Sequence, residues 1–487
     1  MFSLPQLSRR TFLGHGTMSA LGSTSVMSTL LNLKMANQAV AQDLSNDDDD
    51  RKTLVCLFLS GGIDSFNLLV PRDTQRYEEY ATTRTNLALP QTALLPLNQT
   101  GGGDGQDYGL HPATRGLQTL FNGPDPDRRL SFIANIGTLV EPMTVRDYQE
   151  RLITRPQGLY SHSDQSAAWQ TSLPLGATQL TGWAGRVADV LHDTSNAGSR
   201  TSMSISFAGN NIFQVGRNTQ QFVMTSNGTQ SLSVQSGDNH PTARKNIAFR
   251  SLMEQEYASL MDKAFAELTS ESLEQQEVIQ EKFDALENNF SGVTFPDNSI
   301  GRKLLAALKT ISLRQDLGLR RQTIFVSERG WDHHSALIQP QQNKLEDLTP
   351  AVTAFQTGLE NLGLADSVIT FSASDFARTL RSNGSGSDHA WGGNQFVMGG
   401  PVDGGKILGR FPSLALDSPD DVGRGGRILP TLSVDSLVAE LLLWFGLEGR
   451  DNFERVVPNL GNFYDIASAD AADPSSLPIG FLKPNAF

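Results

Sequence analysis

The feature that most restricts the fold is an apolar segment at residues 52–60, which reads K-T-L-V-C-L-F-L-S. It lacks the alternation of polar and apolar residues seen in strands with one face in water, and is typical of a central strand buried on both faces. Further strands are predicted at residues 130–136, 323–327 and 366–373, with helix-like segments between them. The pattern predicts an α/β fold with a doubly wound, mostly parallel central sheet flanked by helices.

Two segments interrupt the alternation of strands and helices. Residues 243–317 are rich in Glu, Gln, Leu, Ala and Lys at helical spacing, which predicts a mainly helical insertion. Residues 200–235 alternate Ser and Thr with apolar residues, which predicts a short β-rich region. We therefore predict a single α/β domain over residues 52–487 that includes both segments.

The N-terminus has the features of an export signal. Ser8-Arg9-Arg10-Thr11-Phe12-Leu13 is a twin-arginine pattern, and Ala39-Val40-Ala41 provides a cleavage site with small residues. Residues 1–41 are accordingly predicted to be a twin-arginine signal peptide, and residues 42–51, with four consecutive aspartates, an acidic disordered linker. These segments predict a periplasmic or secreted protein.

Charge and hydropathy exclude two classes of partner. The chain has a formal net charge of -13, which argues against nucleic acid or an anionic membrane surface as the main partner. The apolar part of the signal is interrupted by polar residues, and no later apolar run is long enough to cross a bilayer. No stable membrane insertion is therefore expected.

Acidic and imidazole side chains follow several of the predicted strands and turns. Because parallel strands end at one edge of a sheet, such residues can meet there and bind one or two divalent metal ions. A general acid/base pair would use the same residue types, and a single His beside a turn is more often a hydrogen-bonded loop residue. The candidates are Asp64, His111, His162, Asp332, His333, His334, Asp375, Asp388 and His389.

Two serines are candidate nucleophiles. Ser161 precedes His162 and a helix-like segment, so a helix N-terminus and a metal could both stabilise its alkoxide. Ser65, next to Asp64, is the alternative. Either serine could instead serve only as a helix N-cap, in which case the chain has no serine nucleophile.

A set of motifs resembles the domain of unknown function 1501 family, exported proteins whose fold is similar to the alkaline phosphatase and sulfatase superfamily. Together with the twin-arginine signal the motifs cover nearly the whole chain, and their order makes them specific. They are residues 59–67 (L-S-G-G-I-D-S-F-N), 110–112 (L-H-P), 161–162 (S-H) with Trp169, 330–335 (G-W-D-H-H-S), 374–379 (S-D-F-A-R-T), 388–393 (D-H-A-W-G-G) and 396–400 (F-V-M-G-G).

The resemblance implies an alkaline-phosphatase-like core with one or two divalent ions, with zinc, manganese and calcium as candidates. Matched by motif, the implied metal ligands are Asp64, Asp332, His334, Asp375 and His389, and Ser161 takes the position of the nucleophile. The implied function is an exported metal-dependent hydrolase of phosphate or sulfate esters, whose substrate is a small molecule or is carried on a polymer.

Departures from the family pattern support an alternative function. Asn394-Gln395 stands where family members commonly have two histidines, and residues 163–166 read S-D-Q-S in place of an aromatic residue and Ala-Gln. The alternative is a non-catalytic protein of the envelope or of surface assembly, with a structural metal or none and with an envelope protein as partner. The sequence around its one cysteine, Cys56, lacks the C/S-x-P-x-R signature of sulfatases, so a sulfatase that uses this cysteine is not predicted.

Overall fold

The computed structural model describes residues 50–487 except 102, 103, 125, 126, 200, 230–240, 254, 256 and 258. Within these residues ten strands form one sheet, in the order β12-β5-β11-β10-β1-β9-β6-β7-β8, and β13 also pairs with β5. The bounds are Lys52–Ser60 (β1), Leu69–Pro71 (β2), Leu95–Pro96 (β3), Tyr108–Leu110 (β4), Leu130–Gly137 (β5), Ser204–Ser206 (β6), Phe222–Thr225 (β7), Gly228–Thr229 (β8), Arg321–Arg329 (β9), Val368–Ser374 (β10), Gly393–Gly399 (β11), Ile407–Leu408 (β12) and Leu432–Ser433 (β13). The short strands β2, β3 and β4 make a separate antiparallel sheet.

The predicted central strand is β1, which is buried over residues 53–59. It pairs in parallel with β9 on one side and with β10 on the other, so the ends of all three strands reach the same edge. The neighbouring pairs β9–β6 and β6–β7 are also parallel, whereas β11 runs antiparallel to both β10 and β5. The predicted α/β fold with a mostly parallel central sheet is therefore confirmed, with antiparallel pairs at β11 and between β7 and β8.

Helices flank this sheet. The bounds are Thr74–Arg84 (α1), Arg115–Asn122 (α2), Val145–Glu150 (α3), His162–Thr171 (α4), Trp183–Ser195 (α5), Pro241–Met253 (α6), Leu260–Ala285 (α7), Ser299–Ser312 (α8), Ile338–Asn361 (α9), Val434–Phe445 (α10) and Arg450–Val456 (α11). Helices α6, α7 and α8 occupy the segment predicted as a helical insertion, and β6, β7 and β8 lie in the region predicted to be β-rich.

The N-terminal predictions fall mostly outside the described part of the chain. The signal peptide at 1–41 and nearly all of the linker at 42–51 lie there, so export stays a prediction. At the end of the linker, the carboxylate of Asp50 pairs with Arg320 at 2.9 Å and with Arg321 at 2.7 Å, at the start of β9. Among the helices that the structure describes, none combines the length and the apolar character needed to cross a bilayer.

The fold brings three elements together at the carboxyl ends of the central strands. These are the turn after β9, which carries Asp332, the loop between β10 and β11, which carries His389, and the start of α4, at His162. Close packing holds the first of them in place, because a Cβ on Gly61 would lie 2.7 Å from the backbone nitrogen of Asp332. Gly61 has φ +122°, a conformation that glycine adopts readily.

Candidate metal centre

Three histidines direct their Nε2 atoms at one carboxylate. The Nε2 atoms of His334, His162 and His389 lie 3.0, 3.4 and 3.6 Å from the carboxylate oxygens of Asp332. Ligand atoms of His162, Asp332 and His389 all lie within 4.8 Å of one another, close enough to bind one metal ion. We call these four residues the imidazole cluster. Its carboxylate and His334 are about half exposed, so the cluster is open to solvent.

A hydrogen bond to the other ring nitrogen orients each imidazole. Nδ1 of His162 lies 2.6 Å from the Asp375 carboxylate, and Nδ1 of His389 lies 2.7 Å from the carbonyl oxygen of Tyr160. Nδ1 of His334 lies 3.3 Å from a carboxylate oxygen of Asp388. Because each of these partners is an acceptor, Nδ1 carries the proton, and in the neutral ring Nε2 has a lone pair directed at the cluster.

The Nε2 atoms provide the test of whether a cation fits. Those of His334 and His389 lie 2.8 Å apart, and two lone pairs at this distance repel unless a proton or a cation lies between them. The Nε2 atom of His162 is buried and has no hydrogen-bond partner among the described residues. Three imidazole nitrogens with one carboxylate oxygen form a donor set that suits zinc and also manganese. The residues present therefore fit a divalent ion.

Buried Arg378 positions the carboxylate of the cluster. Its guanidinium donates to Asp332 and also to the carbonyl oxygens of Gly62, Gly61 and Ser387, at 2.8, 2.6 and 2.9 Å. Burial raises the pKa of Asp332, but the Arg378 guanidinium outweighs it, and the net effect is a lowered pKa. Asp332 is therefore ionised at neutral pH and available to a cation.

Burial also lowers the pKa of His389. The charge of the Arg378 guanidinium acts in the same direction, whereas the hydrogen bond to the carbonyl of Tyr160 raises this pKa. The net lowering favours the neutral imidazole, which is the form that binds a metal. Tyr160 itself has φ +74°, a left-handed conformation that is uncommon for a residue with a side chain.

Of the predicted ligands, Asp332, His334 and His389 lie together in the cluster, whereas Asp375 and Asp64 take other positions. Asp375 is 3% exposed and lies behind His162, where it also accepts from the backbone nitrogen of Gly61 at 3.2 Å. It therefore orients the ring of His162 and does not point its carboxylate at the Nε2 atoms. The Asp64 carboxylate instead forms a buried ion pair with Arg84.

The two candidate serines differ in accessibility. Ser161 is partly exposed at the N-cap of α4, where its side chain caps no backbone nitrogen, and its Oγ lies 3.1 Å from Oγ of Ser163. Ser65 is fully buried, and its Oγ accepts from the backbone nitrogen of Asn394 at 2.9 Å. Ser161 therefore remains the candidate that a substrate could reach.

His162 is a candidate from the sequence but is not among the ligands that the family resemblance implies, and the sequence predicts no role for Arg378. His162 directly follows Ser161, and that adjacency was the available signal for a second functional residue at the start of α4. Arg378 is the fifth residue of the segment S-D-F-A-R-T. Its role depends on a contact with Asp332, 46 positions earlier in the chain, which the local sequence does not encode.

Comparison with known families identifies the chain. A family described as "Protein of unknown function (DUF1501)" matches residues 156–453, more than half of the sequence. The chain belongs to the DUF1501 family. The residues matched in this DUF1501 protein include all four members of the imidazole cluster, together with Asp375 and Arg378, whereas Asp64 and β1 precede them.

Two solved structures are similar to this DUF1501 protein at low sequence identity. The C-terminal periplasmic domain of EcEptC from Escherichia coli, in complex with Zn, is 13% identical over 84% of this chain and 85% of that one, with a TM-score of 0.31. The PsFucS1 sulfatase from Pseudoalteromonas sp. is 10% identical over 87% of this chain and 71% of that one, with a TM-score of 0.33. Comparison with curated proteins gave no significant match. The similarity to these two structures is too weak to assign a function.

Proposed function

We propose that this DUF1501 protein is an exported metal-dependent hydrolase of phosphate or sulfate esters. The observation that carries the proposal is the convergence of the Nε2 atoms of His162, His334 and His389 on Asp332. Ester hydrolysis by a metal site needs fixed ligands, an open position for substrate and a source of nucleophile. The twin-arginine pattern at residues 8–13 supports export.

Each part of the cluster has a separate role in this proposal. The imidazoles, fixed through Nδ1, and Asp332 would hold a zinc or manganese ion, which when bound polarises the ester and neutralises its charge. Ser161 is the candidate nucleophile, because its Oγ is accessible at the N-terminus of α4, where the helix dipole favours an alkoxide. Arg378 keeps Asp332 ionised and oriented throughout.

The proposal is tested with the mature protein purified after export. We expect at least one bound divalent ion by metal analysis, and turnover of aryl phosphate or aryl sulfate esters when zinc, manganese or calcium is supplied. Asp332→Asn and His389→Ala should each lower metal affinity roughly a hundredfold and abolish turnover, because each removes a ligand of the ion. The matched control is His192→Ala, which removes a partly buried histidine of α5 outside the cluster.

Two results would contradict the proposal. The first is wild-type protein that binds no divalent ion, and the second is unchanged turnover in both ligand variants. Thermal unfolding of each metal-free variant shows whether the change acts on the site or on the fold. The same assays on Ser161→Ala test the nucleophile, since a serine that forms a covalent intermediate cannot be replaced by alanine without loss of turnover.

A second candidate function is a non-catalytic envelope protein, and the segment Asn394-Gln395 favours it. Family members commonly have histidines at these two positions. In this chain the side chains of Asn394 and Gln395 are buried in the sheet. Oδ1 of Asn394 accepts from the backbone nitrogen of Asn135 at 3.1 Å, and Oε1 of Gln395 accepts from Ser372 at 2.6 Å. Bound metal without turnover of any ester in the panel would support this function over the first.

A further inference from the structure

A groove near the imidazole cluster also has the character of a binding site. It has a volume of about 730 Å³ and lies along the carboxyl-terminal parts of β1 and β9, between α4, α8 and α9. We call it the basic groove and define it by Phe58, Ser166, Lys303, Phe325, Arg329 and Lys344.

Two residues connect the groove with the cluster. Ser166 lines the groove, and its Oγ lies 3.3 Å from Oδ1 of Asp375, whose other oxygen lies 2.6 Å from Nδ1 of His162. Arg329, the last residue of β9, precedes Asp332 by three positions. The groove and the imidazole cluster therefore have Asp375 as a common neighbour, through Ser166 on one side and His162 on the other.

The charge of the groove is opposite to that of the whole chain. Lys303, Arg329 and Lys344 line it together with one carboxylate, Glu328, although the chain has a net charge of -13. Glu328 is already paired with both lysines, at 3.6 Å to Lys303 and 2.8 Å to Lys344. Arg329 is exposed and, in the part of the chain that the structure describes, its side chain makes no ion pair. The groove thus has a surplus of positive charge with an unpaired guanidinium.

The rest of the lining suits the body of an organic molecule. The half-buried side chain of Ile212 provides apolar surface, Phe58 and Phe325 lie almost fully buried beneath the groove, and Asn210 is an exposed amide at its edge. Binding sites commonly combine such apolar surface with a few polar groups that orient the ligand. A simple inorganic anion would contact only a small part of this lining.

We propose that the basic groove binds a second anionic group of the substrate, on the same organic scaffold as the ester that is cleaved. The preferred substrates would then be polyanionic, such as a polymer that carries several sulfate or phosphate groups, and not isolated monoesters. This inference rests on the proposed function for the identity of the substrate. The binding event itself does not require hydrolysis or a metal ion.

The test measures binding of fluorescein-labelled dextran sulfate oligomers to the metal-free full chain, with neutral dextran of the same size as the reference ligand. We expect wild-type protein to bind dextran sulfate, more weakly as salt rises, and not to bind dextran. Arg329→Ala combined with Lys303→Gln should weaken binding by about tenfold, because it removes two charge-assisted contacts. Arg329→Ala alone covers the case in which the double variant does not fold.

The matched control is Arg302→Ala. Arg302 is the neighbour of Lys303 in α8, but its side chain is exposed and pairs with Asp297 at 2.7 Å, outside the groove. Its removal should change the affinity by less than about twofold. The proposal would be overturned if wild type does not bind dextran sulfate or binds neutral dextran equally well. It would also be overturned if the Arg329 variants bind as wild type does, or if Arg302→Ala loses a similar amount of affinity.

The outcomes separate this inference from the proposed function. His389→Ala, which removes a residue of the metal site, should still bind dextran sulfate. Binding that depends on Arg329, without turnover of any ester, would support the binding role of the groove and contradict the hydrolase function. Turnover of simple aryl esters by a protein that does not bind dextran sulfate would support the hydrolase and overturn the groove.

Discussion

Asp64 and Asp332 follow neighbouring strands of the central sheet, and both contact an arginine, yet their surroundings differ. The Asp64 side chain is 1% exposed and its partner Arg84 is fully buried, so the pair is part of the core. Asp332 is 45% exposed and faces three imidazoles in addition to Arg378. A carboxylate that follows a central strand can therefore belong either to an ion pair in the core or to an open cluster that fits a metal ion.

The difference arises from the elements packed over each strand end. Helix α1 ends at Arg84, whose guanidinium also donates to the carbonyl oxygens of Thr379 and Leu380, at 3.1 and 3.2 Å, and this contact covers Asp64. Over Asp332, the start of α4 and the loop that carries His389 leave an opening to solvent. A buried charge needs its partner for stability, whereas a half-exposed carboxylate can exchange water for a ligand.

The largest expected effect separates these two carboxylates. Asp64→Ala should lower the free energy of unfolding by about 3–5 kcal/mol, because it leaves the Arg84 charge buried without its partner. Asp332→Asn should lower it by only about 1 kcal/mol, since asparagine keeps an oxygen for Arg378. Urea unfolding of the metal-free proteins measures both values.

A double variant controls for the loss of charge at the buried pair. Asp64→Leu with Arg84→Met replaces the ion pair by apolar side chains and should recover most of the lost stability. Metal binding in this double variant decides whether Asp64 is also a ligand, as its sequence motif implies. A loss of bound metal from a folded double variant would contradict the distinction between the two sites.

A smaller effect, a pH-dependent change of about 3 kcal/mol in the free energy of unfolding, is expected at His111. This candidate site residue lies in the core. It is buried, and its Nδ1 accepts from the backbone nitrogen of Ala113 at 3.1 Å. Burial lowers the pKa of His111 from 6.5 to about 4. The unfolded chain therefore binds a proton first as pH falls, so this contribution to stability is present above pH 6.5 and is lost toward pH 4.

Urea unfolding between pH 7 and pH 4, with a chelator present, measures the contribution of His111. His111→Asn keeps an acceptor for Ala113 and does not titrate, so its stability should fall less steeply with decreasing pH than that of wild type. Parallel pH profiles for the two proteins would mean that His111 is protonated equally in the folded and unfolded states, contrary to its position in the core.

The smallest expected effect tests the orienting role of Asp375. Asp375→Asn should lower metal affinity by roughly 10–100-fold, because the amide no longer accepts a charge-assisted hydrogen bond from Nδ1 of His162. Ser166→Ala is the control, since it removes a weaker partner of the same carboxylate, at 3.3 Å. Asp375→Asn that binds no metal at all would indicate a direct ligand and would weaken the contrast between Asp375 and Asp332.

Some features of the site were accessible to sequence reasoning because they depend on local pattern. The segment G-W-D-H-H-S follows a predicted strand, and D-H-A-W-G-G follows the next one, so their Asp and His residues could be named as candidates. The resemblance to the family then implied Asp332, His334 and His389 as ligands. The role of His162 was missed, and Asp375 lies behind it. The two residues are 213 positions apart, and which of them faces the cluster depends on the direction of side chains across two elements.

The sequence by itself determined the central sheet, because a nearly continuous apolar run within residues 52–60 is stable only when both faces are buried. It also determined which residue types reach the edge of that sheet, since strand ends follow from the same pattern. Only the tertiary structure decided which of these residues are buried in pairs, as Asp64 is, and which share an open site, as Asp332 does. The physical reason is that burial and distance between groups come from packing of segments far apart in the chain.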